Sequence, residues 1–386
     1  MQAKSIKGKS TEEIKSALEQ TIVEDFKPTL AVVFLSVKQN REAISKLLDE
    51  KGIQIFGATT AGEFIDGEIE EGGIVMLLLD MIPAYFKLVF IETSKETAFE
   101  DAKKIGITGS ETFTKPTFII ASGGVALDGE EIVDGITEGF KTTALSGENE
   151  LMIFGGKAGD DLLLEETFVF TNKKNKANSV VALIIDEDKI KVSGIATCGW
   201  NAIGTTKTVT KSESNIVFTI DDKPALDMLM NYLGVEIKED GDKDIVTFLS
   251  SWYYPLQLER ENVDPVIRTA MFANLKDRSL ICSGNVPQGA KIKFAMPPDF
   301  DSMEKVVAEC NSINNDAQQA DALIMFSCVS RYLSFGIVIK EEIEGVQKIW
   351  NAPMAGFFTY GEYGKSKMGK NEYHNNACCL VALKEK

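Results

Sequence analysis

The chain has one histidine, His374, in 386 residues. A facial triad of two histidines and a carboxylate is therefore excluded, and any Cys-His or Ser-His nucleophile has to use His374. Long apolar runs are missing too. The best, Ile74 to Leu79, stops at Asp80, far short of the ~20 apolar residues that cross a bilayer. Met1 to Lys15 alternate Lys, Ser and Glu, without the apolar stretch of ~7 residues or more of a secretory signal. No C-x-x-C occurs among the six cysteines at 198, 282, 310, 328, 378 and 379. Cys378 and Cys379 fall on an expected strand, where neighbours face opposite sides, so they are not expected to pair. A reducing cytoplasm fits this usage.

Basic clusters are equally scarce. The longest, Lys173-Lys174-Asn175-Lys176, lies between two apolar runs and predicts a solvated hairpin turn. Lys plus Arg is 41 and Asp plus Glu is 58, a balance of 41 − 58 = −17. Such a surface repels phosphate backbones and anionic lipid, so neither nucleic acid nor membrane insertion is expected. What is present is ordinary globular material, 44% hydrophobic and 26% charged. At about 150 residues per domain, the length predicts two or three domains.

Hydrophobic periodicity gives those domains content. A helix over Ser10 to Phe26, with Ser10 and Glu13 in capping-box positions, precedes the doubly apolar run Thr29 to Leu35, which reads as a buried strand. A helix across Arg41 to Glu50 and strands at Ile53 to Thr59, Gly73 to Leu79 and Ala84 to Ile91 follow. The same order returns from Lys95 to Ala196 and again from Asp301 to Leu383. Each first strand ends in Ser36, Ser122 or Ser327. Each second strand runs into glycine and then an acid: Gly62-Glu63, Gly159-Asp160 and Gly361-Glu362. The pattern predicts an α/β (α+β mixed) protein, two domains of mixed β-sheets packed with helices, built from repeated α-β-α-β-β units. The polar stretch Gly204 to Ser214 is the expected junction, dividing the chain into 1–204 and 205–386. A second core is expected beyond it.

Motifs for common chemistries fail on spacing. Gly8-Lys9-Ser10 has Ala3, and Gly364-Lys365-Ser366 has Thr359, where a phosphate loop needs its first glycine. The acid pairs Asp160-Asp161, Glu130-Glu131 and Glu341-Glu342 lack a calcium-loop pattern and read as solvated surface. Cys328, at a strand end with Arg331 nearby, is the best nucleophile candidate with His374; the alternative is a small buried hydrophobe and a satisfied polar residue. Ser36, Glu63, Arg331 and Glu362 are able to form a zwitterion pocket, with Arg331 gripping a carboxylate. A buried Arg-Glu pair bracing two sheets accounts for them equally well.

The strand endings carry a resemblance. Phe34-Leu-Ser36 with Ile55-Phe-Gly-Ala-Thr-Thr-Ala-Gly-Glu63, then Phe154-Gly-Gly-Lys-Ala-Gly-Asp160, resembles the N-terminal signature of the FIST family, named for F-box and intracellular signal transduction proteins. Pro224-Ala-Leu running to Tyr232-Leu-Gly234, Phe326-Ser-Cys328 with Arg331, and Ala355-Gly-Phe-Phe-Thr-Tyr-Gly-Glu362 is similar to its C-terminal signature. The resemblance implies a FIST N-terminal domain over 1–204 and a C-terminal one over 205–386. It implies an intracellular sensor of a small polar ligand, such as an amino acid, rather than an enzyme. Site residues implied are Ser36, Glu63, Asp160, Cys328, Arg331, Tyr360 and Glu362, with no cofactor and no metal. No output module is recognised in the chain. The partners expected are the small molecule and a signalling protein in trans, or a second copy in a homo-oligomer. A Cys328/His374 hydrolase or transferase and a ligand-free adaptor are the alternatives.

Overall fold

A computed structural model describes residues 1–142, 150–234, 245–247, 254–296, 299–314 and 319–386. The first unit runs β1 (Ala3–Gly8), α1 (Thr11–Thr21), β2 (Leu30–Ser36), α2 (Arg41–Asp49), β3 (Gln54–Thr60), β4 (Glu63–Ile65), β5 (Glu68–Glu70) and β6 (Ile74–Leu79). The second runs β7 (Phe86–Glu92), α3 (Ala98–Thr112), β8 (Pro116–Ser122), α4 (Gly129–Lys141), β9 (Met152–Lys157), β10 (Val169–Phe170), β11 (Asn175–Lys176) and β12 (Ser179–Asp186). The third opens with β13 (Ile190–Thr197), and a further sheet then interrupts it. That sheet holds β14 (Ala202–Glu213), β15 (Ile216–Ile220), β16 (Lys223–Pro224), β17 (Ile245–Thr247), β18 (Leu256–Glu259), β19 (Val266–Arg268), β20 (Ala270–Asn274), β21 (Ser279–Cys282) and β22 (Lys291–Ala295), with α5 (Ala225–Leu233) between β16 and β17. The third unit resumes with α6 (Phe300–Asn311), β23 (Ala322–Cys328), α7 (Val329–Phe335), α8 (Ile339–Trp350), β24 (Met354–Thr359), β25 (Glu362–Lys365), β26 (Asn371–His374) and β27 (Cys378–Glu385).

The mixed α/β class expected from the sequence is what forms, and the three units share one plan. In strand order, their sheets read β1-β6-β2-β3, β7-β12-β8-β9 and β13-β27-β23-β24. In each, the last two strands are parallel and the others antiparallel. Each sheet is then completed by a hairpin from a different unit. β10-β11 joins the first sheet at β3, β25-β26 joins the second at β9, and β4-β5 joins the third at β24. The exchange is cyclic, and all three sheets become six-stranded.

Alternation along the parallel strands explains the layers. Val32 and Phe34, Ile119 and Ala121, and Ile324 and Phe326 face one common core, where the Phe34 ring lies 4.6 Å from Phe357 and 5.9 Å from Phe326. Their neighbours face outward to helices. Val33 and Leu35 meet Ile14 and Ile44; Phe118 and Ile120 meet Ile105 and Ile136; Leu323 and Met325 meet Val306 and Ile343. Burial on both faces is why these strands are apolar throughout. Cys379 joins the common core and Cys378 the outer layer, as strand alternation requires, and all six cysteines are free. α3 lies close on α4 because glycines permit it: a Cβ on Gly139 would sit 2.0 Å from the Lys103 carbonyl oxygen.

Several expectations change. The polar stretch 204–214 is mostly β14, whose Thr-rich sequence suits a strand and which pairs with both β15 and β22. The first helix ends at Thr21 rather than Phe26, and β1 precedes it, bound antiparallel to β6. Of the expected strand Ile245 to Leu249, the last two residues lie outside the described residues. The basic cluster does form a turn, closed by Thr171 N–H to Lys174 O. The inserted sheet has its own core around Val217, Leu226, Leu229 and Phe294. Among the described residues no helix is long and apolar enough to cross a membrane.

Pairings cross residue 204 in three places: β13 with β27, β4 with β24 and β25 with β9. A fragment ending at residue 203 therefore exposes bare strand edges and half of the aromatic core. It should bind a hydrophobic dye and melt without a cooperative transition; a sharp, dye-free melt would refute this dependence.

Candidate functional site

The three units present comparable corners where the parallel strands end. In β-sheet register Ser36 faces Thr60, Ser122 faces Lys157, and Cys328 faces Thr359. In the first corner the Thr60 hydroxyl donates to Glu63, whose other oxygen accepts from Gly73 N–H at 3.0 Å. In the third, Thr359 donates to Glu362, whose other oxygen accepts from Ala377 N–H at 3.1 Å. Gly62 and Gly361 separate the strands from these acids at φ 122° and 157°, a region closed to most side chains. Each acid thus ties the point where a hairpin leaves its own sheet to the start of the next strand.

Burial dominates both acids and favours the neutral form. It raises Glu63 to about 7 and Glu362 to about 8, against the threonine and backbone hydrogen bonds that favour the carboxylate.

The second corner differs. Lys157 replaces the threonine, and its Nζ donates to Val125 O at 3.1 Å and Leu127 O at 2.8 Å. Burial, partly offset by Asp128, lowers it to about 8. Asp160 turns away and accepts from the amides of Leu164, Glu165 and Glu166 at 3.0, 2.7 and 3.0 Å. It also accepts from the Tyr360 hydroxyl, which ties the second unit to the third. Asp161, Leu162 and Leu164 in this loop have φ of 53°, 66° and 57°, left-handed values that non-glycine residues seldom take.

Beside this corner lies a cavity of about 500 Å³, within the usual range for small-ligand sites. Its walls come from the β8–α4 loop at Val125 to Asp128, from Lys157, from the inserted sheet at Thr269, Met271, Cys282 and Ser283, and from Cys328, Tyr360, Tyr373 and Asn375. Of the residues expected at a site, Cys328 and Tyr360 line it. Asp160 holds Tyr360, and Glu362 is hydrogen-bonded to Cys328. Ser36 donates to Asp161 at 2.7 Å, and Ser36, Glu63 and Arg331 do not line the cavity.

Arg331 is fully buried. Its Nε donates to Glu342 Oε1 at 3.1 Å and Nη2 to Glu342 Oε2, while Nη1 donates to Asn376 O at 3.1 Å and to Cys198 O. A buried Arg-Glu pair thus exists, but its acid is Glu342 rather than Glu63 or Glu362, and it joins α7 to α8 rather than two sheets. Trp200 and Phe335 flank the guanidinium at 5.2 and 5.5 Å. The solvated reading of the acid pairs is corrected twice: Glu342 is fully buried and Asp160 is 1% exposed. In both cases a specific partner compensates the desolvation.

Cys328 is a thiol. Burial pushes it well above the ordinary cysteine range, which opposes thiolate formation. Its Sγ lies 2.9 Å from Ser330 Oγ. His374 is buried with Nε2 3.2 Å from Gly364 O, and burial lowers it to about 4. Sequence reasoning missed Lys157 and Asn375. Aligning the three strand endings reveals Lys157, which stands where the other two have threonine.

A family model described as the FIST N domain matches residues 29–223, and one described as the FIST C domain matches residues 225–365. No curated protein matches the chain. A solved polyphosphate kinase from Porphyromonas gingivalis is 11% identical over 47% of this chain, with a TM-score of 0.16. The chain spans 44% of that kinase's length, and the likeness carries no argument.

Three variants test the buried ionisable groups. Arg331→Met leaves Glu342 unpaired and should lower unfolding stability by roughly 3–5 kcal/mol, with much of it restored in Arg331→Met/Glu342→Leu; equal losses in both would refute pairing as the cause. Glu362 stays protonated when folded, so its contribution is present below the ordinary carboxylate range and is lost as pH rises through about 8. The melting temperature should fall over that window, and Glu362→Gln should flatten the fall; an unchanged profile would refute the neutral acid.

Proposed function

The chain belongs to the FIST family, whose domains are signal-transduction sensor domains, and from that premise we propose that it senses a small polar ligand, such as an amino acid, in the cavity beside Lys157. One observation carries the reading: the cavity draws walls from the FIST N region, at Leu127 and Lys157, and from the FIST C region, at Thr269, Cys328 and Tyr360. A ligand held there touches both. It shifts the population between two relative positions to the extent that it binds one better. The signal then passes in trans to a protein partner or to a second copy, in a cytoplasmic setting.

The enzyme alternative keeps one supporting fact, the place of Cys328 on the cavity wall. Its thiol is held protonated by burial, which favours binding over nucleophilic chemistry.

Melting against a panel of amino acids, amines and nucleotides tests the proposal. A ligand at about 100 times its dissociation constant adds about 2.7 kcal/mol, several degrees. Ala126 is an exposed residue of the cavity wall, so Ala126→Trp should narrow the entrance and abolish the shift. No shift with any compound, or a shift that survives Ala126→Trp, would overturn the reading.

A further inference from the structure

We propose that the cavity takes a small carboxylate carrying one negative charge and a hydrogen-bond donor, with the carboxylate anchored on Lys157. This rests on the cavity being the ligand site and names what the site selects.

Lys157 is 6% exposed and lines the cavity. An ammonium has three donors, and two of them go to the Val125 and Leu127 carbonyls. Those carbonyls fix the direction of the third without neutralising the charge. Burial lowers Lys157 only to about 8, so the ammonium form prevails at neutral pH. The carboxylate whose field reaches it, Asp128, is occupied by Glu130 N–H at 2.8 Å and Asn285 Nδ2 at 3.2 Å. A buried cation without a contacting counter-ion is costly, and a ligand carboxylate supplies that contact through a charge-assisted hydrogen bond.

The same inventory limits the ligand. A phosphate dianion needs several converging donors, whereas Lys157 has one N–H left, the other cation on the wall, Lys95, is exposed to solvent, and Asp128, also on the wall, repels a second charge. On the opposite count, Asn375 lines the cavity, is 2% exposed, and its Oδ1 has no partner among the described residues. An unpaired buried acceptor is stabilised by a donor, so a hydroxyl or amino group on the ligand completes the site. The chain's charge of −17 suggests a cationic ligand; the local geometry selects the opposite sign at the anchor.

The decisive experiment is calorimetric titration of the full chain with C3–C6 amino and hydroxy carboxylates, each beside its own carboxamide and its decarboxylated analogue. A charge-assisted bond predicts that each acid binds roughly 10–100-fold tighter than its amide. Lys157→Met should erase that preference and Lys157→Arg should keep it. If Lys157→Met does not fold, the acid-to-amide ratio on the unmodified chain still decides. Amides or amines that bind as tightly as the acids, and are lost in Ala126→Trp, would overturn the carboxylate anchor while leaving the cavity as a ligand site. If no compound of any class binds, both readings fall.

Discussion

Everything in this molecule depends on a cyclic trade of hairpins. None of the three sheets completes its six strands from its own unit: β10-β11 leaves the second unit for the first, β25-β26 the third for the second, and β4-β5 the first for the third. An unpaired strand edge is a liability, and here each edge beside β3, β9 and β24 is covered by a neighbour. No unit can then be lost without uncovering an edge of another. The aromatic centre, where Phe34 meets Phe326 and Phe357, repeats the dependence in apolar contacts.

The buried acids belong to this constraint. A chain that crosses from one sheet to another must leave backbone amides near the crossing, and a buried unpaired amide costs about as much as a lost hydrogen bond. Glu63 and Glu362 satisfy the amides of Gly73 and Ala377 with one oxygen and hold Thr60 and Thr359 with the other. Desolvation decides their protonation and hydrogen bonding decides their position. Arg331 and Glu342 follow a different logic. There both groups are fully buried and contact through two hydrogen bonds, so removing one partner is far worse than replacing both.

Much of this was legible in the chain. The doubly apolar run Thr29 to Leu35 marked a buried strand because a strand covered on both faces is apolar throughout. The recurring glycine-acid endings marked the corners: at Gly62-Glu63 and Gly361-Glu362 the turn needs a positive φ and an amide needs an acceptor. What stayed hidden was non-local. Nothing in Glu63 to Glu70 says that this hairpin pairs with β24, almost 300 positions away in sequence. Glu341-Glu342 resembles any exposed acid pair, since helical phase alone does not reveal that Arg331 waits under the second residue. The stretch 204–214 looked like a linker because polarity was weighed above the strand preference of its threonines.

The cavity lies beside the second corner because the side chains there break the pattern of the other two. In the first and third corners a threonine and a glutamate satisfy each other, and the chain closes tightly over them. Lys157 breaks that pattern: an ammonium cannot accept a hydrogen bond, so it turns to the Val125 and Leu127 carbonyls. Asp160, without a threonine to hold, gathers three amides and Tyr360 instead. The inserted sheet lands at the same place, with Thr269, Cys282 and Ser283 facing the opening. One substitution in a threefold pattern therefore does two things. It removes the internal partner that would have filled the corner, and it leaves a charge that solvent cannot easily reach. The first and third corners are closed because their groups satisfy each other; at the second, Lys157 lines the cavity with no contacting carboxylate among the described residues.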